Sequence, residues 1–344
     1  MRVLFLVQGY KVAASRYRVL QYIPYLNNEG IGTTVSTYPR NPIEVARFLA
    51  ALPTYDCIFL QRKRFRGAFL ALVRKLAKKI IYDFDDSVMY RNSRAASPYS
   101  RTRMKRFEDM VRATDFVIAG NRFLMEQTLP FNENVAVIPT ALDGKRYIAK
   151  DHGKTKDRAT IGWIGDHGSI HYMEKMKPIF EMIGKTFDRA ELSIVCDVFI
   201  DCENIPVIKN MWSQGTEIAD LQDMDIGLMP LTNDLWSEGK CGLKILQYFG
   251  VAVPAVCTPV GVNKDVVSDG VNGFYANSPE EWFEKIAILI EDAPLRRGMG
   301  LKGRDLIMSQ YTIEACAPKL IDIIRDVSRS ETERSVSGYH IGKR

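Results

Sequence analysis

From residue 1 to about 140, short apolar runs alternate with segments whose apolar residues recur every three or four positions. The runs Val3–Val7, Thr33–Ser36, Cys57–Gln61, Ile80–Phe84, Phe116–Ala119 and Val135–Ile138 predict strands. Between them, Val19, Ile23 and Leu26 share one helical face, as do Phe65, Phe69, Leu72 and Leu76, and Met104, Phe107 and Val111. A strand would not repeat at that spacing. Ser15 is the expected cap of the first helix and Gly30 its expected end. Strands separated by helices of this length pair in parallel and form a doubly wound α/β sheet.

The polar and basic segment from Tyr147 to Asp157 interrupts this pattern, which then restarts. Strands are expected at Ala159–Ile164, Leu192–Cys196, Ile226–Met229 and Val253–Cys257. Helices are expected from about Ile170, near Ile218–Leu221, over Gly242–Phe249, and near Glu280–Ile290, Leu295–Met308 and Ile313–Val327. The expected organisation is therefore a first domain at 1–146, a linker at 147–158, a second domain at 159–327 and a polar, frayed tail from Ser328. A chain of 344 residues exceeds what one core usually serves, so two domains of ~170 residues agree with its length.

Composition narrows the class without changing this picture. The balance of 46% hydrophobic and 26% charged residues is ordinary for a soluble globular protein. No stretch nears the ~20 apolar residues of a transmembrane helix, and Val3–Val7 is too short for a signal-peptide core. The six cysteines are scattered, several of them inside apolar runs. Cys196 and Cys202 lack a companion Cys/His pair for zinc, so a reduced, cytoplasmic chain is expected. The net charge is +6. Its basic residues crowd Arg62 to Arg66, Arg74 to Lys79 and Arg101 to Arg112, all in the first half. These are either solvated helix and loop faces or a surface for an anionic partner, phospholipid or phosphorylated acceptor.

Ligands of open α/β sheets bind beyond the carboxyl ends of the strands, at helix N-termini. The stretch Trp236-Ser237-Glu238-Gly239-Lys240-Cys241-Gly242-Leu243-Lys244 follows a strand and opens a helix. Its unsatisfied N–H groups suit a diphosphate, and Gly239 and Gly242 permit close approach. Lys240 and Lys244, four residues apart, reach the same side of the first turn, and Gln247 stands within reach of a ribose diol. The plainer reading is a solvated basic helix start. A second cluster, Gly162-Trp163-Ile164-Gly165-Asp166-His167-Gly168-Ser169, also sits at a strand-to-helix turn, where glycines need no ligand. The Gly-Lys-Thr triplets at Gly153 and Gly184 lack the earlier glycine and preceding strand of a phosphate-binding P-loop.

These pieces together resemble glycosyltransferase family 4, the large retaining family of GT-B architecture, in which two Rossmann-like doubly wound parallel-sheet domains face each other across a cleft. The resemblance is carried by Gly-Lys-Cys-Gly-Leu-Lys-Ile-Leu-Gln-Tyr-Phe at 239–249, Val253-Pro254-Ala255-Val256, Pro259-Val260-Gly261-Val262-Asn263 and Asp269-Gly270-Val271-Asn272-Gly273-Phe274. In the first half it is carried by Ser15-Arg16-Tyr17-Arg18, Asp83-Phe84-Asp85-Asp86, Ala119-Gly120-Asn121-Arg122 and Ile138-Pro139-Thr140. It implies retaining transfer of a sugar from an NDP-sugar to a glycan or lipid-linked acceptor, in cell-envelope polysaccharide synthesis. The NDP-sugar would be a co-substrate, with no resident cofactor and no metal.

The resemblance implies catalytic roles for Asp166, His167 and Glu238. It implies donor contacts from Gly165, Gly168, Lys240, Gly242, Leu243, Lys244, Gln247, Val260, Gly261 and Asn263. Acceptor contacts would come from Arg16, Arg18, Arg62, Asp83, Asp85 and Asn121. Two glutamates that many members carry correspond here to Gly239 and Gln247, with Glu238 displaced by one residue. Asp166-His167-Gly168 replaces the usual Arg or Lys of the turn after the second half's first strand, which leaves Lys240 and Lys244 to meet the phosphate charge.

Alternatives stay open at this level. Asp83-Phe84-Asp85 also fits the metal–diphosphate pair of the other transferase architecture, although it lies far in sequence from the phosphate loop. Ion pairs between the first-half arginines and Asp83, Asp85 or Asp86 are as good a reading as acceptor contacts. An epimerase-like enzyme without acceptor, or a silent nucleotide-sugar or glycan-binding module, would share the same fold. Nucleic acid is not the expected partner, because no aromatic-interleaved platform accompanies the basic clusters. Localisation is expected to be cytoplasmic, with the basic first domain at the inner membrane face.

Overall fold

The computed structural model describes residues 1–154 and 156–329. The chain divides into two compact units, Met1–Thr140 joined by the segment from Ile313, and Ala141–Thr312.

The first unit is a parallel sheet of β1 (Arg2–Val7), β2 (Gly32–Thr37), β3 (Cys57–Gln61), β4 (Ile80–Phe84), β5 (Phe116–Ala119) and β6 (Val135–Val137), in the order β2-β1-β3-β4-β5-β6. Every residue of β3, β4 and β5 is buried, as a sheet covered by helices on both faces requires. β2, at the edge, is at most half-buried. The second unit holds β7 (Ala159–Ile164), β8 (Ala190–Cys196), β9 (Val207–Met211), β10 (Ile226–Met229), β11 (Ala255–Cys257) and β12 (Gly273–Tyr275), in the order β12-β11-β10-β7-β8-β9. Each sheet reverses its winding at one point, between β1 and β3 in the first and between β7 and β10 in the second. Those are the crevices where such sheets take ligands.

The apolar pattern located ten strands closely, and the differences have local causes. Ser15 is not the first helix's cap: that helix, Ala13–Arg18, follows Val12, and Ser15 is buried within it, donating to Gln61 Oε1 at 3.3 Å. The single face expected through Val19, Ile23 and Leu26 is built from three short pieces, with Pro24 starting a new helix at Ile23–Asn28. Gly30 does end it, with φ at 75°. Phe65 lies just before the helix Gly67–Leu76 yet packs on Phe69 with ring centroids 4.9 Å apart. The helices Pro42–Ala51 and Arg122–Thr128 are each capped by an asparagine, and Arg101–Arg112 by Ser100.

The units do not divide in the polar segment at 147–158. Tyr147 is 1% exposed, its hydroxyl accepts from Gln247 Nε2 at 3.1 Å, and Lys150 Nζ lies 2.7 Å from Asp225. That segment is therefore part of the second unit, and the division falls after Thr140. The last helix, Ile313–Ser328, belongs to the first unit rather than the second. It buries Leu320, Ile321 and Ile324, and its Glu314 accepts from the Tyr25 hydroxyl at 2.6 Å. The expected polar tail lies outside the described residues from Ser330 onward.

Candidate active site

Three loops gather at the carboxyl edge of the second sheet. The helix Leu243–Gly250 is fixed over the switch point by Tyr248, whose hydroxyl accepts from Ile164 N–H of β7 at 3.3 Å and donates to Leu228 O of β10 at 3.1 Å. Gly242 precedes this helix in the left-handed region at φ 66°, a conformation that favours glycine. The loop before it carries the short helix Leu235–Glu238, capped by Asp234, which accepts from Ser237 N–H at 2.8 Å. Lys240 Nζ lies 5.1 Å from the Trp236 ring centroid, and Lys244 Nζ lies 5.5 Å from that of Trp163 in β7. The loop after β11 closes on this one, because Gly261, at φ 52°, packs directly against the backbone of Glu238. Val260 and Asn263 are buried there, and Asn263 holds the turn by donating to Thr258 O at 2.9 Å.

The loop after β7 is equally ordered. Gly165 lies against the Trp163 ring. Asp166 Oδ1 accepts from the Ser169 hydroxyl at 2.9 Å and comes close to Gly168. Asp197, beyond β8, accepts the His167 backbone N–H at 2.7 Å, and its second oxygen is 2.6 Å from His167 Nδ1. That bond is the main cause holding the Asp197 carboxyl below its usual range. The sequence reading missed Asp197; an acidic residue just past a strand next to β7 was the available signal. Gln247 departs from expectation. It is 3% exposed and donates to Tyr147 within the unit, instead of lining the crevice for a ribose. Leu243 opens the helix, half-buried.

In the first unit, the residues expected to meet an acceptor divide between structural duty and the sheet edge. Arg18, 4% exposed, donates to Asp83, 1% exposed, through Nη2 at 2.5 Å and Nε at 3.3 Å, and to Ile138 O at 2.6 Å. Of the two readings open for these residues, the structural ion pair is the one this burial matches. Asn121 is likewise buried as the cap of Arg122–Thr128, accepting from Leu124 N–H at 2.8 Å. Arg16 is buried with its guanidinium 5.0 Å from the Tyr17 ring. Arg62 departs from β3 at φ 64°, unusual for a side-chain-bearing residue, and pairs with Asp86 and, at 3.8 Å, with Asp85. Asp83 and Asp85 thus pair with different arginines. Among the described residues no group of three or more His, Cys, Asp or Glu side chains gathers to hold a metal ion.

Burial pushes the Asp85 carboxyl up to about 6, with Arg62 opposing. A carboxyl raised in the folded state binds protons that the unfolded chain has already released, so stability falls as pH rises from about 4 through about 6. Asp85→Asn is expected to remove about 1–3 kcal/mol of that fall. Urea midpoints of both proteins across pH 4–8 measure it; parallel curves would contradict it.

Many basic side chains of the first unit are spent locally. Arg74 and Lys79 reach Asp115 at 2.5 and 3.6 Å, Lys105 reaches Asp109 at 2.8 Å and Arg112 reaches Glu108 at 3.2 Å. No helix among the described residues is long and apolar enough to cross a membrane.

Two doubly wound parallel sheets of six strands in one chain define the GT-B class of fold. Solved structures agree. The chain matches Anabaena Alr3699/HepE in complex with UDP and glucose with a TM-score of 0.71 at 14% identity, covering 94% of this chain and 99% of that one. It matches the sucrose-phosphate synthase of Thermosynechococcus elongatus with a TM-score of 0.69 at 12% identity, covering 94% and 98%. Residues 211–292 match the family model Glycosyl transferases group 1. The N-acetyl-alpha-D-glucosaminyl L-malate synthase of Bacillus anthracis is 20% identical over 338 residues, 94% of this chain and 84% of the relative. The chain is a glycosyltransferase of GT-B fold whose residues 211–292 are of the group 1 type.

Proposed function

We propose that the chain transfers a sugar, with retention of configuration, from an NDP-sugar to a hydroxyl of a glycan or lipid-linked acceptor, and that the acceptor belongs to cell-envelope polysaccharide synthesis. The observation that carries the donor half is the convergence of Lys240, Lys244 and the start of the helix Leu243–Gly250 at the β7–β10 switch point. Departure of the diphosphate builds negative charge as an oxocarbenium-like centre forms. Fixed backbone amides and two ammonium groups meet that charge without reorganising, and no metal is required. Glu238 and the Asp166-His167 turn would flank the sugar, and Gly261, packed on the backbone of Glu238, would hold that loop in place. The neighbours support a nucleotide-sugar donor, since HepE is described with UDP-glucose and TarM with UDP and alpha-GlcNAc-glycerol. For the acceptor, the support is the family resemblance and the basic first unit, docked as a peripheral protein at the inner membrane face.

Thermal stabilisation by UDP, GDP, ADP and dTDP and their sugars tests the donor half. Ligand at ~100 times its dissociation constant should add ~2.7 kcal/mol to the native state. A Lys240→Ala/Lys244→Ala variant should lose that stabilisation. NMR of the product anomer then tests retention. Stabilisation by no member of the panel would refute the donor site, and an inverted anomer would refute retention.

A further inference from the structure

The seam between β7 and β10 parts before either strand ends. β7 stays paired with β8 through Ile164, and β10 with β11 through Met229. Their own ladder holds only Ile161 with Ile226 and Gly162 with Gly227. In that register the next ladder bond would run from Ile164 N–H to Leu228 O. The Tyr248 hydroxyl stands in its place, accepting from Ile164 N–H at 3.3 Å and donating to Leu228 O at 3.1 Å. One hydroxyl thus satisfies two buried backbone groups that the parted strands leave without each other. The phenol is itself fully buried, and its ring lies on Gly227, where an added Cβ would stand 2.3 Å from Cδ2. Beyond the seam, Ile164 leads into the turn at Asp166 and His167, and Leu228 into the loop bearing Glu238 and Lys240. The spacing of the strands here therefore sets how far apart those two loops begin.

We propose that Tyr248 is a positioning residue for the donor: its hydroxyl, inserted into the first unmade ladder bond, props the switch-point crevice open to the width a nucleoside diphosphate needs. This inference rests on the donor site proposed above. Without that oxygen, Ile164 N–H and Leu228 O would gain by bonding each other directly, because neither reaches water. The seam would then zip by one further pair, and the two loops would close on the space between them. The helix Leu243–Gly250, which carries Lys244, would lose its tie to both strands in the same step. Tyr248 therefore acts through the backbone it separates.

Calorimetric titration of UDP, GDP, ADP and dTDP into the full chain and its Tyr248→Phe variant tests this. The nucleotide that binds the wild type should bind Tyr248→Phe about tenfold more weakly. Thr160→Val removes a hydroxyl from the other end of β7, where Thr160 Oγ1 donates to Glu191 at 2.7 Å. Its dissociation constant should stay within about threefold of wild type. NMR supplies a signature that lost stability alone would not produce. A scalar coupling across a hydrogen bond, between the Ile164 nitrogen and the Leu228 carbonyl carbon, should be absent from the wild type and appear in Tyr248→Phe. That coupling in the wild type would overturn the spacer without recourse to any variant. Unchanged affinity in Tyr248→Phe, a seam that stays parted there, or an equal loss in Thr160→Val would overturn the positioning role and leave the donor site standing. Binding of no nucleotide by the wild type would overturn both.

Discussion

Replacing Asp83 by alanine is expected to destabilise the first unit by about 3–5 kcal/mol, because the Arg18 guanidinium would remain buried with its counter-charge gone. Ile138 O would still accept from Nη1. Arg18→Ala should cost a similar amount for the converse reason. At a urea slope of about 2–3 kcal/mol per molar, such a loss moves the unfolding midpoint down by about 1–2 M. Destabilisation below about 1 kcal/mol would mean that water reaches the pair and that its burial does not set its energy.

The double replacement Arg18→Met/Asp83→Leu separates two roles that either single change confounds. Removing both charges and refilling their volume with apolar groups should recover most of the lost stability, since neither desolvation nor an orphan charge remains. The acceptor KM of the double variant should then stay within about threefold of wild type. A folded double variant with an acceptor KM raised about tenfold or more would return Arg18 and Asp83 to the acceptor site.

The strands legible in the sequence are those whose neighbours bury them. β3, β4, β5, β7 and β10 appear as apolar runs because helices cover both faces. β9, Val-Ile-Lys-Asn-Met, was not legible, because an edge strand with exposed side chains carries no such run. β12 has three residues and offers no period at all. The phosphate-loop motif was readable because its parts are contiguous. Asp197 and His167 lie 30 residues apart, and only the adjacency of β7 and β8 joins them. The domain boundary was misplaced for a related reason. Tyr147 sits in a polar stretch, yet its ring is buried and its hydroxyl bonded to a side chain 100 residues on.

Gly261→Ala should reduce kcat/KM by about 100-fold or more while leaving the fold in place. Two effects combine there. At φ 52° a side chain costs roughly 1–2 kcal/mol. An added Cβ would also stand 2.7 Å from Glu238 O and 3.1 Å from Glu238 Cα, both backbone atoms that no rotamer change relieves. The loop carrying Glu238 and Lys240 must move, and a displacement near 1 Å in a positioned group costs about 100-fold in rate. Gly270→Ala supplies the control. Its φ is 72°, so the same conformational cost applies, but nothing lies within 4 Å of its Cβ position. If the two variants lose stability alike and only Gly261→Ala loses activity, the loss comes from displacing the Glu238 loop. Equal activity in both would remove the Glu238–Lys240 loop from the chemistry and leave the donor site to the turn at Asp166 and His167.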